Sequence, residues 1–160
     1  MRGLARQAAT AALLLVAARS ATAQERPRTR PELRLDATSA RVSRLEGSAG
    51  LVVPLGIYGR LALSGGGGVA RAAGATRTAA RADAIARFEL DPLNQRPHSV
   101  YLGGGVTWLA TEGERGRAYL ALVGALELKT RAGWVPSVEL GIGGGARVGV
   151  AFRRAMQSWR

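Results

Sequence analysis

The stretch PSVELGIGGGARVGVAFR, residues 136–153, decides how this chain folds. Its apolar residues Val138, Leu140, Ile142, Val148, Val150 and Phe152 fall on even numbers, while Glu139, Arg147 and Arg153 fall on odd ones. A β-strand sends successive side chains to opposite faces, so a period of two lays one apolar face against one polar or glycine face. A helix would scatter the same residues around its surface. The stretch therefore predicts closing β structure, and the rest of the chain is taken from there.

Similar alternation recurs upstream. Leu33, Leu35 and Ala37 alternate with Arg34, Asp36 and Thr38, which predicts a first strand. Residues 43–48 read as a polar turn, and residues 50–53 as a short second strand ended by Pro54 and Gly56. Residues 58–71 form the third, with Leu61, Leu63 and Val69 on one face and Arg60, Ser64 and Arg71 on the other. Residues 73–78 read as a small polar loop. In residues 80–90, Ala82, Ala84, Ala86, Phe88 and Leu90 alternate with Arg81, Asp83, Arg87 and Glu89, and only Ile85 breaks the pattern. Propensity favours a helix there, but the two-residue period covers the whole segment and favours a strand. Residues 91–97 are a turn by composition. Residues 100–110 place Leu102, Val106 and Trp108 opposite Tyr101 and Thr107, and residues 119–128 place four leucines opposite Tyr119 and Glu127. Between them lies a charged loop, EGERGR, residues 112–117.

The N-terminus has a different character. Arg2 and Arg6 precede an apolar run, residues 8–18, too short to span a bilayer as a helix, and Ala21-Thr22-Ala23 follows. Basic start, apolar middle and small-residue end in that order predict a cleavable export signal, residues 1–23. Residues 24–31 are then a proline-broken lead-in, residues 32–154 the barrel domain and residues 155–160 a tail. No apolar run after Ala23 is long enough for a membrane helix, so any crossing would be made by strands.

Composition narrows the function classes. The 160 residues carry a net charge of +12, falling to about +9 without the signal, and Lys129 is the only lysine. The arginines are dispersed rather than gathered into a stripe with stacking aromatics, which argues against nucleic acid and toward lipopolysaccharide phosphates or acids inside a barrel. There is no cysteine, hence no disulfide framework or thiolate metal site. His98, the only histidine, sits between Pro97 and Ser99 in a turn, without the convergent partners that a hydroxyl nucleophile or a metal requires. The glycine runs lack the helix start that a phosphate cradle needs, so they read as sheet geometry. No catalytic residue, metal site or cofactor is assigned. Both a lipid-modifying enzyme and a soluble periplasmic barrel binding a small apolar ligand stay open as alternatives.

The runs near Gly66, Gly104 and Gly144 recur at spacings of 38 and 40 residues, about the length of a strand pair with its connections. If residues 143–145 are mid-strand the count is seven; if they are a turn it is eight, the even number that single-chain bacterial barrels have. The fold class expected is all-β, an antiparallel up-and-down transmembrane β-barrel of eight strands. Its polar face, Arg34, Asp36, Arg60, Arg81, Asp83, Arg87, Glu89, Glu127, Glu139, Arg147 and Arg153, would line the lumen of so narrow a barrel as a paired charge network. Trp108, Tyr119 and Trp134, near strand ends, would be candidates for an aromatic girdle.

From its N-terminal signal to Phe152, the chain resembles the small outer-membrane β-barrel proteins of Gram-negative bacteria, the opacity-protein and OmpA-like transmembrane-domain class. The resemblance implies location in the outer membrane and a non-enzymatic structural or surface-interaction role with no open pore. It also implies a monomer with outer-membrane lipid, lipopolysaccharide and the barrel assembly machinery as partners. In that class a terminal aromatic residue marks the last strand for assembly; here Gly149, Val150 and Phe152 match that signal, unless Trp159 in the tail takes the role.

Overall fold

The structure is a computed structural model describing residues 29–72, 74–92, 97–128 and 133–155. Eight strands, β1 (Arg30–Ser39), β2 (Ser43–Pro54), β3 (Gly59–Ala72), β4 (Ala75–Glu89), β5 (His98–Thr111), β6 (Arg117–Leu128), β7 (Trp134–Ile142) and β8 (Ala146–Arg154), follow one another around a closed barrel. Every neighbouring pair is antiparallel, and β1 pairs with β8 from Glu32↔Arg153 to Ser39↔Ala146. No edge is left for another chain to extend. The up-and-down path puts the turns at residues 40–42, 112–116 and 143–145, and the β3–β4 connection, at one end; this is the tight-turn end. The start of β1, the end of β8 and the turn at residues 55–58 lie at the other, the terminus end.

Eight strands, rather than seven, follow from one turn. Ile142 pairs with Ala146, and residues 143–145 reverse the chain between them with Gly144 at φ 76°. A side chain is strained at that angle, so glycine permits the hairpin. The runs at residues 65–68 and 103–105 lie within β3 and β5 instead.

Several boundaries and one face differ from the sequence expectation: among the boundaries, His98 begins β5 instead of lying in a turn, and Arg117 begins β6 instead of ending the charged loop, each being paired across the ladder as His98↔Leu128 and Leu109↔Arg117. Residues 43–48 are not a turn but the first half of β2, because Arg44, Glu46 and Ser48 face inward while Leu45 and Gly47 face outward. Their turn-like composition is that of a polar inner face. Residues 75–78 are not loop but the start of β4, paired as far as Ala72↔Ala75. β1 takes in Arg30 and Pro31 from the expected lead-in. Arg71 does not share a face with Arg60 and Ser64: it lies two residues past Val69 and keeps that residue's outward side. Residues 80–90 hold to the strand despite their helical propensity, being paired to β3 on one side and β5 on the other. Ile85, the break in their pattern, points inward and packs with Ala121 and Val123. The proposed signal, most of the lead-in and Trp159 lie outside the described residues.

The barrel is turned inside out relative to a protein with an apolar core. Buried side chains include Glu32, Arg34, Asp36, Glu46, Arg81, Asp83, Arg87, Glu127, Glu139, Arg147 and Arg153, whereas Leu33, Leu63, Leu122, Leu140, Val148 and Phe152 are exposed. Inward glycines let the wall curve tightly around this filling. A Cβ on Gly66 would lie 2.0 Å from the Gly47 carbonyl oxygen, while one on the outward Gly47 would meet nothing closer than 4.0 Å. Gly66→Ala is therefore expected to cost about 1–3 kcal/mol, and Gly47→Ala close to nothing. Urea unfolding of the two variants checks this; equal midpoints would refute the packing difference.

Candidate functional site

The feature that distinguishes this barrel is the ionic filling of its lumen. Strand alternation aims each charged side chain inward, and the long arginines then reach residues on strands that are not their neighbours. Near the terminus end, Arg60 on β3 donates to Glu89 on β4 and, at 3.3 Å, to Glu127 on β6. Arg153 on β8 meets the other oxygen of Glu127 at 2.6 Å. In the middle, Arg34 on β1 donates to Glu139 on β7 and to Glu32 at 3.2 Å. Arg87 crosses from β4 to hold both oxygens of Glu32, at 2.6 and 2.8 Å. The Tyr101 hydroxyl donates to Glu139, and the Arg87 guanidinium lies 5.2 Å from the centre of the Tyr101 ring. Toward the tight-turn end, Arg147 on β8 donates to Asp36 on β1 at 2.9 Å, and Arg81 donates to its strand-mate Asp83 at 2.8 Å. Thr107 also donates to Asp83.

All eleven residues expected in the lumen network are brought together there. Further members, among them Glu32, Arg44, Glu46, Tyr101 and Thr107, were missing from the expectation. Arg44 and Glu46 lay within the supposed turn; Arg44 pairs with Glu46 at 3.8 Å and bonds Thr111 at 2.8 Å. Their even numbering, continued by Ser48 and Val52, was the signal that could have found them. Glu32 shares the parity of Arg34, and Tyr101 was placed on the polar face without being assigned a partner.

The other expected residues lie outside this network. Trp108 and Trp134 project outward near opposite ends, whereas Tyr119 has the inward parity but is exposed near the tight-turn end. Val150 and Phe152 face outward and Gly149 inward, where a Cβ would meet the Asp36 carboxylate at 2.1 Å. His98 is exposed at the first position of β5. Among the described residues no cluster of His, Cys, Asp or Glu is arranged to hold a metal ion.

Burial makes each of these charges depend on its partners. What the arrangement can do is cross-brace the wall and fill the lumen, since Arg34, Arg60, Arg87 and Arg147 each span it to carboxylates on other strands. The site defines a small closed barrel with an ionic interior. No protein-family model matches the chain. Nor does any curated protein show significant similarity to it.

Glu139 receives Arg34, Arg87 and Tyr101 together, so its loss leaves two buried guanidiniums short of charge. Glu139→Gln is expected to destabilise by about 3–5 kcal/mol. The exposed Glu112→Gln should change stability by less than about 0.5 kcal/mol. Denaturant midpoints measure both, and a small shift for Glu139→Gln would remove the network as the brace of the fold.

Proposed function

We propose that the protein is a non-enzymatic outer-membrane β-barrel with a structural or surface-interaction role and no open pore. The observation that carries this is the chemistry of the outer wall. Among outward positions of the eight strands there is no Arg, Lys, Asp or Glu except Arg71 at the tight-turn end and Arg154 at the terminus end. Leucines, valines and small residues cover the surface between them, including Leu122 at 59% exposure and Leu140 at 62%. Exposed apolar surface on this scale is unfavourable in water and favourable against lipid. The strands, from 9 to 15 residues long, are long enough to cross a hydrocarbon core when tilted, which takes about 9–11 residues.

Support for a sealed lumen comes from the arginine side chains that cross it. Outer-membrane location also draws on the export signal read in residues 1–23. A soluble barrel that held an apolar ligand inside would need its apolar residues turned inward, and here the lumen carries the charges. Outer-membrane lipid, lipopolysaccharide and the assembly machinery, the last through the outward Val150 and Phe152, are the partners of this reading, in which the barrel acts as a monomer.

Substitution on the outer wall separates the two settings. In a bilayer, Leu122→Arg near the middle of β6 should cost about 2–4 kcal/mol, and Ala146→Arg at the rim of β8 no more than about 1 kcal/mol. In a soluble barrel both exposed sites would accept arginine alike. The measurement is folding into phospholipid vesicles, followed by the change of gel mobility on boiling, alongside membrane fractionation of the full-length protein. A freely soluble protein indifferent to Leu122→Arg would overturn the proposal.

A further inference from the structure

The two ends of the barrel differ in where the apolar outer face stops. At the terminus end it runs on into the β2–β3 turn: Leu55, Ile57 and Tyr58 are exposed there, and the Tyr58 ring stacks on Phe88 with centroids 5.6 Å apart. At the tight-turn end it stops inside most of the strands, Ile142 at the end of β7 being the exception. The β3–β4 ladder continues past Val69, its last large outward apolar residue, through Arg71↔Thr76 to Ala72↔Ala75. Ala75, Thr76, Arg77 and Thr78 are exposed on both faces of the sheet, so this hairpin stands clear of the barrel wall.

Arginine takes over where the apolar face ends. Arg41 in the β1–β2 turn, Arg71, Arg77, Arg115 and Arg117 are all exposed at this end, against the two carboxylates Glu112 and Glu114. Arg77 pairs with Glu114 at 3.5 Å. The other four form no ion pair among the described residues. They are spare cations, unlike the lumen arginines.

We propose that this crown of guanidiniums binds the phosphate groups of lipid headgroups in the leaflet that the tight-turn end enters. The inference rests on the membrane reading above. Three observations support it. Arg71 lies two residues, or about 6–7 Å along the strand, beyond Val69. The headgroup layer begins where the hydrocarbon ends and is about 5–8 Å deep on each side. None of the described turns at this end is longer than residues 112–116, so the arginines stay at that depth instead of projecting beyond it. Guanidinium also matches phosphate geometry, donating two parallel hydrogen bonds where ammonium acts as a point charge. Arg154 is exposed at the opposite end as well, so the difference between the ends is the depth at which apolar surface gives way to arginine.

The test uses the full chain folded into phosphatidylcholine vesicles doped with lipid A, or with the same lipid stripped of both phosphates. Lipid retained by the protein on detergent extraction is counted by native mass spectrometry. The wild type should retain the phosphorylated form in preference to the stripped one, and salt at about 0.5 M should erase the preference. The variant R71Q/R115Q/R117Q should retain about fivefold less, the sum of three exposed pairs, with its boiling-dependent mobility intact. Arg154→Gln, at the other end, should retain as much as the wild type. Equal retention of the two lipid forms by a folded wild type would overturn the crown while leaving the membrane reading in place. A wild type that stays in the aqueous phase would overturn both. If the triple variant fails to fold, the wild-type comparison of the two lipids still decides.

Discussion

A charge shut inside a protein has to be answered by an opposite charge or a hydrogen bond, and much of this structure depends on meeting that demand. Seven carboxylates, those of Glu32, Asp36, Glu46, Asp83, Glu89, Glu127 and Glu139, occupy the lumen with the arginines that neutralise them. Their attraction compensates for lost hydration only where geometry brings several partners to one group, as Glu139 does for Arg34, Arg87 and Tyr101. Glycine at Gly66 and Gly149 is part of the same solution, since a methyl group at Gly149 would collide with the Asp36 carboxylate. With charge filling so much of the inside, most of the large apolar residues occupy the outer wall, and only a few such as Val52, Ile85 and Val123 stay within.

Much of this inversion is legible in the chain because side-chain parity is a local property. Once residues 136–153 are taken as strands, the inward set of β1, β4, β7 and β8 can be read off directly, including residues 80–90, where local propensity pointed to a helix. Parity also held where composition misled. The Ser, Arg, Glu and Gly of residues 43–47 look like a turn, yet Arg44 and Glu46 keep the inward register of β2. Arg71 is the converse lesson, since its charge suggested the polar side and its number assigned it to the outer wall.

What could not be read is which charge meets which. Arg87 and Glu32 are 55 residues apart, and Arg147 and Asp36 are 111 apart. Their meeting depends on barrel closure and on the stagger of eight registers, quantities to which no short window of sequence is sensitive. Ile85 likewise interrupts the pattern until Ala121 and Val123 are seen beside it. The depth at which the apolar face gives way to arginine is similarly a property of neighbouring hairpins compared at one height.

The seam between β1 and β8 has a consequence for how the molecule is made. β1 carries Glu32, Arg34 and Asp36, but Glu139 and Arg147 reach them only when β7 and β8 dock. Until then the first strand has lost part of its charge compensation and all of its second ladder. Closure of so distant a contact carries a loop-entropy cost that must be met before the contact forms, and such non-local pairing is slow. A half-made barrel therefore has every reason to keep its inner face wet. The ionic interior thus acts as a timer as well as a brace: it favours late, concerted dehydration of the lumen, when the last strand docks on the first.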